Sequence, residues 1–424
     1  RVHPDGRGYV IKLVGEVTDD LIQPLTAADT PASLPPMAAC AAAGAKVSTG
    51  IDVLRAHDFS ELTGRKIGLV VNNASRARDG VSTLELFQKQ TNLQLRAAFA
   101  PEHGLASIAE GAIADGEARG LPVYSLFGKT KRPTAAMLQN LDTIVFDLPD
   151  VGTRFYTYTS TLRQILEACA GRDMEVVVLD RPNPIGGVEV EGPVSSASVE
   201  SFVNYQPLPI RHGMTIGELA TLLVGERHIA AKLRVIAMEG YRREALFSDT
   251  GLPWFAPSPN LPTATSALTY PALGLLEGTN LSVGRGTDRP FEFLGAPWID
   301  ATRLVEALRA SGLPGVSFAV ADITPRSDHY AGQLCHGLRL HVEQPAAFRP
   351  VRTGLSIARQ LLAQHAALWE TNKLGELIGD PAITSLLLHG ADVREIEQRA
   401  APALERFEAV RARYLRYPDC AHAH

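Results

Sequence analysis

The chain has 424 residues, of which 45% are apolar and 21% are charged, so it is long enough for more than one domain and too apolar for wholesale disorder. Its 41 basic and 46 acidic residues give a formal net charge of −5, which gives no reason to expect nucleic acid or an anionic membrane as a partner. No run of about 18 apolar residues is present, so no membrane span is predicted. The wide spacing of the four cysteines excludes a zinc knuckle and a disulfide-dense scaffold.

Residues 1–47 differ in composition from the rest of the chain. The Ala-rich, Pro-containing stretch at 30–45 has neither helical nor strand periodicity. Met37-Ala38-Ala39-Cys40 is weakly similar to the end of a lipoprotein signal, but no basic segment and no apolar stretch of about 7–15 residues precede it. We therefore expect residues 1–47 to form a flexible leader or the remnant of a signal.

Residues 48–245 have the pattern of a doubly wound α/β domain. Short apolar runs predict strands at 66–71, 93–100, 123–127, 142–147, 175–180 and 232–238. Helical periodicity predicts helices at 81–90, 158–170 and 215–225. Because strands alternate with helices of about ten residues, the pattern favours a mostly parallel sheet with helices on both faces.

Residues 246–424 are predicted to form a second, smaller α+β domain. Its first 45 residues are rich in Pro and Gly and are expected to be largely loop. Six aromatic residues lie in and just after this stretch, which favours an ordered loop over a disordered one: Trp254, Phe255, Tyr270, Phe291, Phe293 and Trp298. Helices are predicted after it at 300–311, 354–368 and 392–417, and strands at 315–322 and 337–342.

Polar side chains follow four of the predicted parallel strands. Open parallel sheets bind ligands beyond the carboxyl ends of their strands, so these four ends predict one shared site. The polar groups are Asn72-Asn73, then Pro101-Glu102-His103-Gly104, then Asp147 and Asp150 with Arg154, Tyr156 and Tyr158 after them, and finally Asp180-Arg181-Pro182-Asn183.

Several of these residues have an equally good structural interpretation. Asp150 and Asp180 could cap helices or form turns, and Asn183 between two prolines could be a turn residue. His103 alone is more often a hydrogen-bonded structural histidine. Glu102 is harder to explain as structure, because it has no obvious helix to cap. Among these residues it is therefore the one that a structural role explains least well.

Familiar cofactor motifs are incomplete in this sequence. Phe127-Gly128-Lys129-Thr130 resembles the end of a phosphate loop, but the residue five positions before the glycine is Val123. Residues 284–289 lack the third glycine of a dinucleotide fingerprint, and no HExxH or Gly-x-Ser-x-Gly motif occurs. No nucleotide, flavin, metal or other cofactor is therefore predicted. A polar, aromatic rim suits a polyhydroxylated substrate, and hydrolysis of a sugar bond needs a carboxylic acid and a second group that attacks or activates water.

Longer motifs occur in a fixed order through residues 49–424. They are GLVVNN at 68–73, PEHG at 101–104, LPVYSLFG at 121–128, DVGTRFYTY at 150–158, LDRPNP at 179–184, RHGMT at 211–215, PSPNLP at 257–262 and EGTNLS at 277–282. In these motifs the chain resembles the DUF1343 family, whose characterised members are exo-β-N-acetylmuramidases of bacterial cell-wall recycling. Pro149 stands where Gln is common in that family, so no side-chain role is predicted at that position.

The resemblance implies a glycoside hydrolase that releases N-acetylmuramic acid from the non-reducing end of peptidoglycan fragments. It also implies a Rossmann-like catalytic domain at 48–245 and a C-terminal α+β domain at 246–424 that completes the active-site cleft. The Glu of the Pro-Glu-His-Gly motif is the family's candidate catalytic carboxylate, so Glu102 is expected to be the general acid. The second catalytic group is Asp150 in our leading assignment, while Asp147, Glu191, Glu277 and the 2-acetamido group of the substrate are alternatives.

The same resemblance suggests which residues bind the substrate. Arg154, Arg211 or Arg285 could pair with the lactyl carboxylate of muramic acid, although Arg285, between two glycines, could instead bind backbone carbonyls. The further binding candidates are Asn73, His103, Asp147, Tyr156, Tyr158, Asn183, Glu191, Asn260, Glu277 and Asn280.

The sequence leaves three other functions as alternatives to this one. They are a glycosidase for another N-acetylated sugar, a non-catalytic peptidoglycan-binding protein and a nucleotide-dependent Rossmann enzyme. The expected partners are MurNAc-GlcNAc saccharides, with the oligomeric state left open. The family's substrate implies a periplasmic or secreted location.

Overall fold

The computed structural model describes residues 40–41, 44–109 and 111–420, and its largest element is a seven-stranded sheet. The strands are β1 (Lys66–Val70), β2 (Gln94–Ala100), β3 (Gly116–Ala118), β4 (Leu121–Ser125), β5 (Thr143–Phe146), β6 (Glu175–Leu179) and β9 (Lys232–Ile236). The parallel strands lie in the order β4-β2-β1-β5-β6-β9, and β3 pairs antiparallel with β4 at one edge. This is the Rossmann order, in which the chain changes direction across the sheet between β1 and β5.

Four helices pack on this sheet: α1 (Gly50–Ala56), α2 (Thr83–Gln88), α3 (Tyr158–Cys169) and α4 (Ile216–Glu226). Ile67 and Leu69 of β1 are fully buried in a core that also contains residues of α1 and α2. α3 and α4 contact each other and β6. Local chemistry fixes where the helices begin, since the Ser82 hydroxyl accepts a hydrogen bond from the first turn of α2 and Thr215 forms a capping box with Glu218.

The C-terminal part combines a three-stranded antiparallel sheet with helices. The sheet has the order β10-β12-β11, formed by β10 (Phe293–Ala296), β11 (Val316–Ile323) and β12 (Cys335–Val342). Its helices are α5 (Ala264–Leu273), α6 (Ala301–Ala310), α7 (Pro350–His365), α8 (Leu374–Ile378), α9 (Pro381–Leu388) and α10 (Val393–Ala412). A separate antiparallel pair, β7 (Glu191–Val194) and β8 (Pro209–Arg211), contacts α7 and α10. None of the described helices is long and apolar enough to cross a membrane.

The predicted fold class is confirmed: a mostly parallel, doubly wound sheet is joined to a smaller α+β part. The first 45 residues after position 245 are largely loop, as expected, but they also contain α5, which was not predicted. Thr263 caps α5 by accepting a hydrogen bond from the Ser266 amide, and Pro271 lies inside the helix. The many Pro and Gly residues around this helix obscured the helical periodicity of its few apolar residues in the sequence.

The end of the predicted leader belongs to the fold. Residues 1–39 and 42–43 lie outside the described residues, so the expectation of a flexible leader is not tested there. Val47 is buried against Met238, Tyr241 and Tyr417. Nearby, Cys40 and Cys420 form a disulfide with their Cα atoms 5.7 Å apart. The sequence did not predict this bond, because the two cysteines are separated by 380 residues and share no spacing motif.

Candidate active site

Glu102 follows β2 at the carboxyl edge of the sheet, beside the point where the strand order reverses. Its side chain is half-buried, and the Oγ1 of Thr157 donates a hydrogen bond of 2.5 Å to its Oε2. Thr157 occupies the N-cap position of α3, but its hydroxyl does not form a capping hydrogen bond. The next residue, His103, has a left-handed backbone with φ 68°, and its Nδ1 lies 2.8 Å from the carbonyl oxygen of Ala109. Strained backbone of this kind is concentrated at functional sites.

A group of aromatic rings in tilted and edge-to-face contact connects α3 to the C-terminal part. The centres of the Tyr156 and Tyr158 rings lie 4.6 Å apart, and the Tyr270 ring of α5 lies 6.3 Å from Tyr156. The Tyr158 hydroxyl donates to the carbonyl oxygen of Pro257 at 2.5 Å and accepts from the side-chain amide of Asn72 at 2.8 Å. Tyr156 and Tyr158 are both buried, so they form the support beneath the site and not its surface.

Tyr270 is the residue that brings the two halves of the site together. Burial raises the pKa of its phenol well above the ordinary value. The negative charges of Glu277 and Glu102 raise this pKa further, while the positive charge of Arg285 opposes them. Glu102 from the Rossmann-type sheet and Glu277 with Arg285 from the C-terminal part therefore lie within electrostatic range of one side chain.

The C-terminal part contains a polar cavity of about 410 Å³, and Asn260, Glu277 and Arg285 are among its lining residues. The Nε of Arg285 lies 2.7 Å from Oδ2 of Asp328, and its Nη1 lies 3.7 Å from Oε2 of Glu277. Asp328 and His329 also line the cavity. Neither residue was predicted, because both lie in the loop between β11 and β12 and only the fold brings them to the cavity.

Asp147 and Asp150 are buried, and their carboxylates accept hydrogen bonds from neighbouring groups. Asp147 is completely buried, and its two carboxylate oxygens accept hydrogen bonds from Arg181 at 2.6 and 2.9 Å. Asp150 accepts from the Gly152 amide at 2.6 Å and from the Thr159 hydroxyl at 3.0 Å. Gly152 has φ 80°, so this carboxylate stabilises a tight turn that favours glycine. These contacts favour structural roles for both aspartates.

Asp180 and Asn183 also serve the backbone. Asp180 accepts from the Gly217 amide in the first turn of α4 at 2.8 Å and from the Tyr417 hydroxyl at 2.6 Å. The side-chain amide of Asn183 donates to the carbonyl oxygen of Met214 at 3.0 Å. Both side chains are buried, which matches the interpretation of these residues as helix-capping and turn-forming groups.

Arg154 and Arg211 lie away from the cavity. Arg154 is fully buried, and its guanidinium donates to backbone carbonyl oxygens of Pro193, Leu208, Leu377 and Ile378. Arg211 pairs with Glu191 at 2.7 Å and donates to the Ile185 carbonyl at 2.5 Å. Burial raises the pKa of Glu191 against the opposing charge of Arg211. Of the three candidate arginines, only Arg285 lines the cavity.

The remaining amide candidates divide between the two sides of the site. Asn73 donates its backbone amide to the Ser107 hydroxyl at 3.3 Å, so it contacts the loop that begins at Glu102. The side chain of Asn280 instead binds the backbone, since its Oδ1 accepts a hydrogen bond from the Glu370 amide at 2.8 Å. Among the described residues, no group of three or more His, Cys, Asp or Glu side chains is arranged to hold a metal ion.

Glycoside hydrolysis needs a carboxylic acid and a second group, and the half-buried Glu102 and the carboxylate in the polar cavity are suitable residue types for these roles. The comparisons with known proteins agree with this class. Residues 67–265 match the N-terminal model of the exo-β-N-acetylmuramidase NamZ family, and residues 268–417 match its C-terminal model. The chain belongs to this family and is a glycoside hydrolase.

Individual relatives support the assignment over most of the chain. The peptidoglycan β-N-acetylmuramidase NamZ of Bacillus subtilis (strain 168) is 43% identical over 380 residues, which cover 88% of this chain and 92% of that protein. Two crystal structures of DUF1343 family proteins from Bacteroides fragilis superimpose with TM-scores of 0.82 and 0.73, at 31% and 29% identity. Each match covers 88% of this chain and 99% or 100% of the other. The resemblance found in the sequence is therefore confirmed.

Proposed function

We propose that this chain is an exo-acting β-N-acetylmuramidase that removes N-acetylmuramic acid from the non-reducing ends of peptidoglycan fragments, with Glu102 as its general acid. The observation that supports this role is the position of Glu102. Thr157 fixes one of its carboxylate oxygens, and the other is not engaged by any described residue. The charge of this carboxyl group also acts on Tyr270, as do the charges of Glu277 and Arg285, which line the cavity.

The chemistry requires two groups. Glu102 gives its proton to the glycosidic oxygen as the bond from that oxygen to C1 of muramic acid breaks, and water supplies the hydroxyl that replaces it. The products are N-acetylmuramic acid and a saccharide shortened by one residue. Of the four carboxylates considered as the second group, Glu277 alone lines the cavity, so we assign this role to Glu277.

Arg285 is proposed to bind the lactyl carboxylate that distinguishes muramic acid from glucosamine. Asp328 holds its Nε at 2.7 Å, whereas the 3.7 Å contact with Glu277 is longer than a hydrogen bond. A substrate carboxylate that takes this guanidinium edge displaces Glu277 and leaves it directed at the sugar. A bidentate guanidinium-carboxylate pair is the geometry that suits an arginine best.

The substitution Arg285→Met should lower kcat/KM for a muramide by about 10- to 100-fold, the size expected for the loss of a charge-assisted hydrogen bond. Arg285→Lys keeps the positive charge but lacks the paired donors of the guanidinium, so it should recover only part of the lost kcat/KM. Both variants should retain the wild-type melting temperature within a few degrees, because Arg285 is partly exposed. An unchanged kcat/KM in Arg285→Met would assign the carboxylate to another residue.

The proposed function is tested by incubating the wild-type enzyme with an aryl N-acetylmuramide and with the matching aryl N-acetylglucosaminide. Release of chromophore from the muramide alone is the expected result. Preferential cleavage of the glucosaminide would make the chain a glycosidase for another N-acetylated sugar. Binding of peptidoglycan fragments without cleavage of either compound would make it a non-catalytic peptidoglycan-binding protein.

A periplasmic or secreted location is also proposed. The disulfide between Cys40 and Cys420 supports it, because such bonds persist in oxidising compartments and are rare where thiols are kept reduced. Cell fractionation with thiol labelling checks this directly. Recovery of the protein in the cytoplasmic fraction with both thiols reactive would contradict it.

A further inference from the structure

A cation lies between two aromatic rings at the end of β4. The Nζ of Lys131 is 4.1 Å from the centre of the Phe202 ring and 5.1 Å from that of Phe127. The two ring centres are 6.3 Å apart. Both phenylalanines are partly exposed and Lys131 is exposed, so these three residues form a surface that we call the Lys131 platform. Phe127 begins the segment that resembles the end of a phosphate loop, and Lys131 follows that segment directly.

The charge of Lys131 is not neutralised by the described part of the chain. None of the ion pairs among the described residues includes Lys131, whereas the neighbouring Arg132 pairs with Glu167. Arg76, whose guanidinium lies 5.1 Å from the centre of the Phe255 ring, is a useful comparison. That guanidinium already donates to oxygen atoms of its own loop at 2.6–2.9 Å. Lys131, unlike Arg76, therefore has a positive charge that can pair with an acidic group of a ligand.

Two hydrogen-bonded connections link the Lys131 platform to the surroundings of Glu102. Ser160, which donates a hydrogen bond to the Phe202 carbonyl, follows Thr157 by three residues, about 4.5 Å along a helix axis. The loop that begins at Glu102 reaches the platform as well, because the amide of Ile113 donates to the Phe127 carbonyl at 2.9 Å. Glu102 is therefore linked to the platform through α3 and its own loop, and to Arg285 through Tyr270 of α5.

This inference rests on the proposed function, because the saccharide substrate of that function explains the position of the Lys131 platform. In an alternating saccharide, the sugar after the cleaved bond is N-acetylglucosamine and the one after that is again muramic acid, which carries a carboxylate. We propose that the Lys131 platform binds this second sugar on the leaving-group side, with the ammonium group on its carboxylate and the rings against its apolar face. The saccharide then runs from Arg285, past Glu102, to Lys131.

The test compares kcat/KM for the peptide-free disaccharide MurNAc-GlcNAc with that for the tetrasaccharide (MurNAc-GlcNAc)₂. Lys131→Ala should lower the value for the tetrasaccharide by about 2- to 5-fold, the range expected for one exposed ion pair, and Lys131→Glu should lower it further. Both should leave the disaccharide unchanged, because it does not reach the platform. Lys131→Arg should behave as wild type. The matched control is Lys89→Ala, which removes a surface lysine paired with Glu85 on α2.

The outcomes separate this inference from the proposed function. A Lys131→Ala variant that cleaves the tetrasaccharide as fast as wild type, or that loses activity equally on both substrates, would overturn the proposal. If the wild-type enzyme cleaves neither saccharide, the proposed function fails, and the platform is judged by equilibrium binding of the tetrasaccharide alone. A Kd that is about 2- to 5-fold weaker in Lys131→Ala supports the platform in that case, and an unchanged Kd refutes it.

Discussion

Replacing Glu102 by Gln should lower kcat/KM for MurNAc-GlcNAc by about 10²- to 10⁴-fold, the range that a general acid contributes. The amide has nearly the same shape and can keep the hydrogen bond from Thr157, but it has no proton to give to the leaving oxygen. The loss should fall mainly on kcat, because the interaction forms in the transition state. Circular dichroism and melting temperature should match the wild type, since the site is half-buried and the substitution is isosteric.

The choice of leaving group makes this experiment specific for acid catalysis. An aryl muramide with an acidic phenol as leaving group needs little protonation, so Glu102→Gln should lose much less activity on it than on the disaccharide. A nucleophile would be equally necessary for both substrates. Equal losses would therefore remove Glu102 from the role of acid, and full activity on both substrates would move that role to another carboxylate. Glu277→Gln is the companion variant, and it should lose activity on both substrates.

The second large effect concerns stability and not catalysis. Arg154→Met should lower the free energy of unfolding by about 3–5 kcal/mol, because it removes a buried charge that donates to four backbone carbonyls. Burial lowers the pKa of Arg154 to about 9, and the carbonyl oxygens offset the cost of enclosing its charge. Two of those carbonyls belong to β7 and to the residue before β8, while the other two end α8. Arg154 thus connects the two parts of the fold.

Urea unfolding followed by tryptophan fluorescence measures this change. The matched control is Arg55→Met, which removes an arginine that pairs with Asp79 at the surface and should cost less than about 1 kcal/mol. Similar midpoints for the two variants would contradict the account of Arg154. If Arg154→Met does not accumulate in soluble form, Arg154→Lys keeps the charge with fewer donors, and its smaller shift tests the same contacts.

The sheet was predictable from the sequence because its central strands are buried on both faces. After one polar first residue, β1, β5 and β6 are uninterrupted apolar runs, and such runs are visible without any knowledge of their partners. The position of Glu102 after β2, at the carboxyl edge of the sheet, was predictable as well, whereas its catalytic role stays a prediction. α5 was missed because Pro271 lies inside it, and sequence patterns treat proline as the end of a helix.

The roles of the other charged residues could not be predicted from the sequence. An Asp after a parallel strand has the same local signature whether it faces a ligand, as expected for Asp147, or is paired inside the protein, as observed with Arg181. Arg154 likewise follows a polar strand end but is directed into the interior. Asp328 reaches the cavity only through the packing of the C-terminal sheet. Contacts between residues distant in sequence decide these cases.

The most direct test of the central claim uses two disaccharides that differ only in order. MurNAc-GlcNAc and GlcNAc-MurNAc are incubated separately with the wild-type enzyme, and the products are separated by chromatography. The account predicts free N-acetylmuramic acid and N-acetylglucosamine from the first and no cleavage of the second, because only the first presents muramic acid at its non-reducing end. Cleavage of GlcNAc-MurNAc, or stability of both, would contradict it.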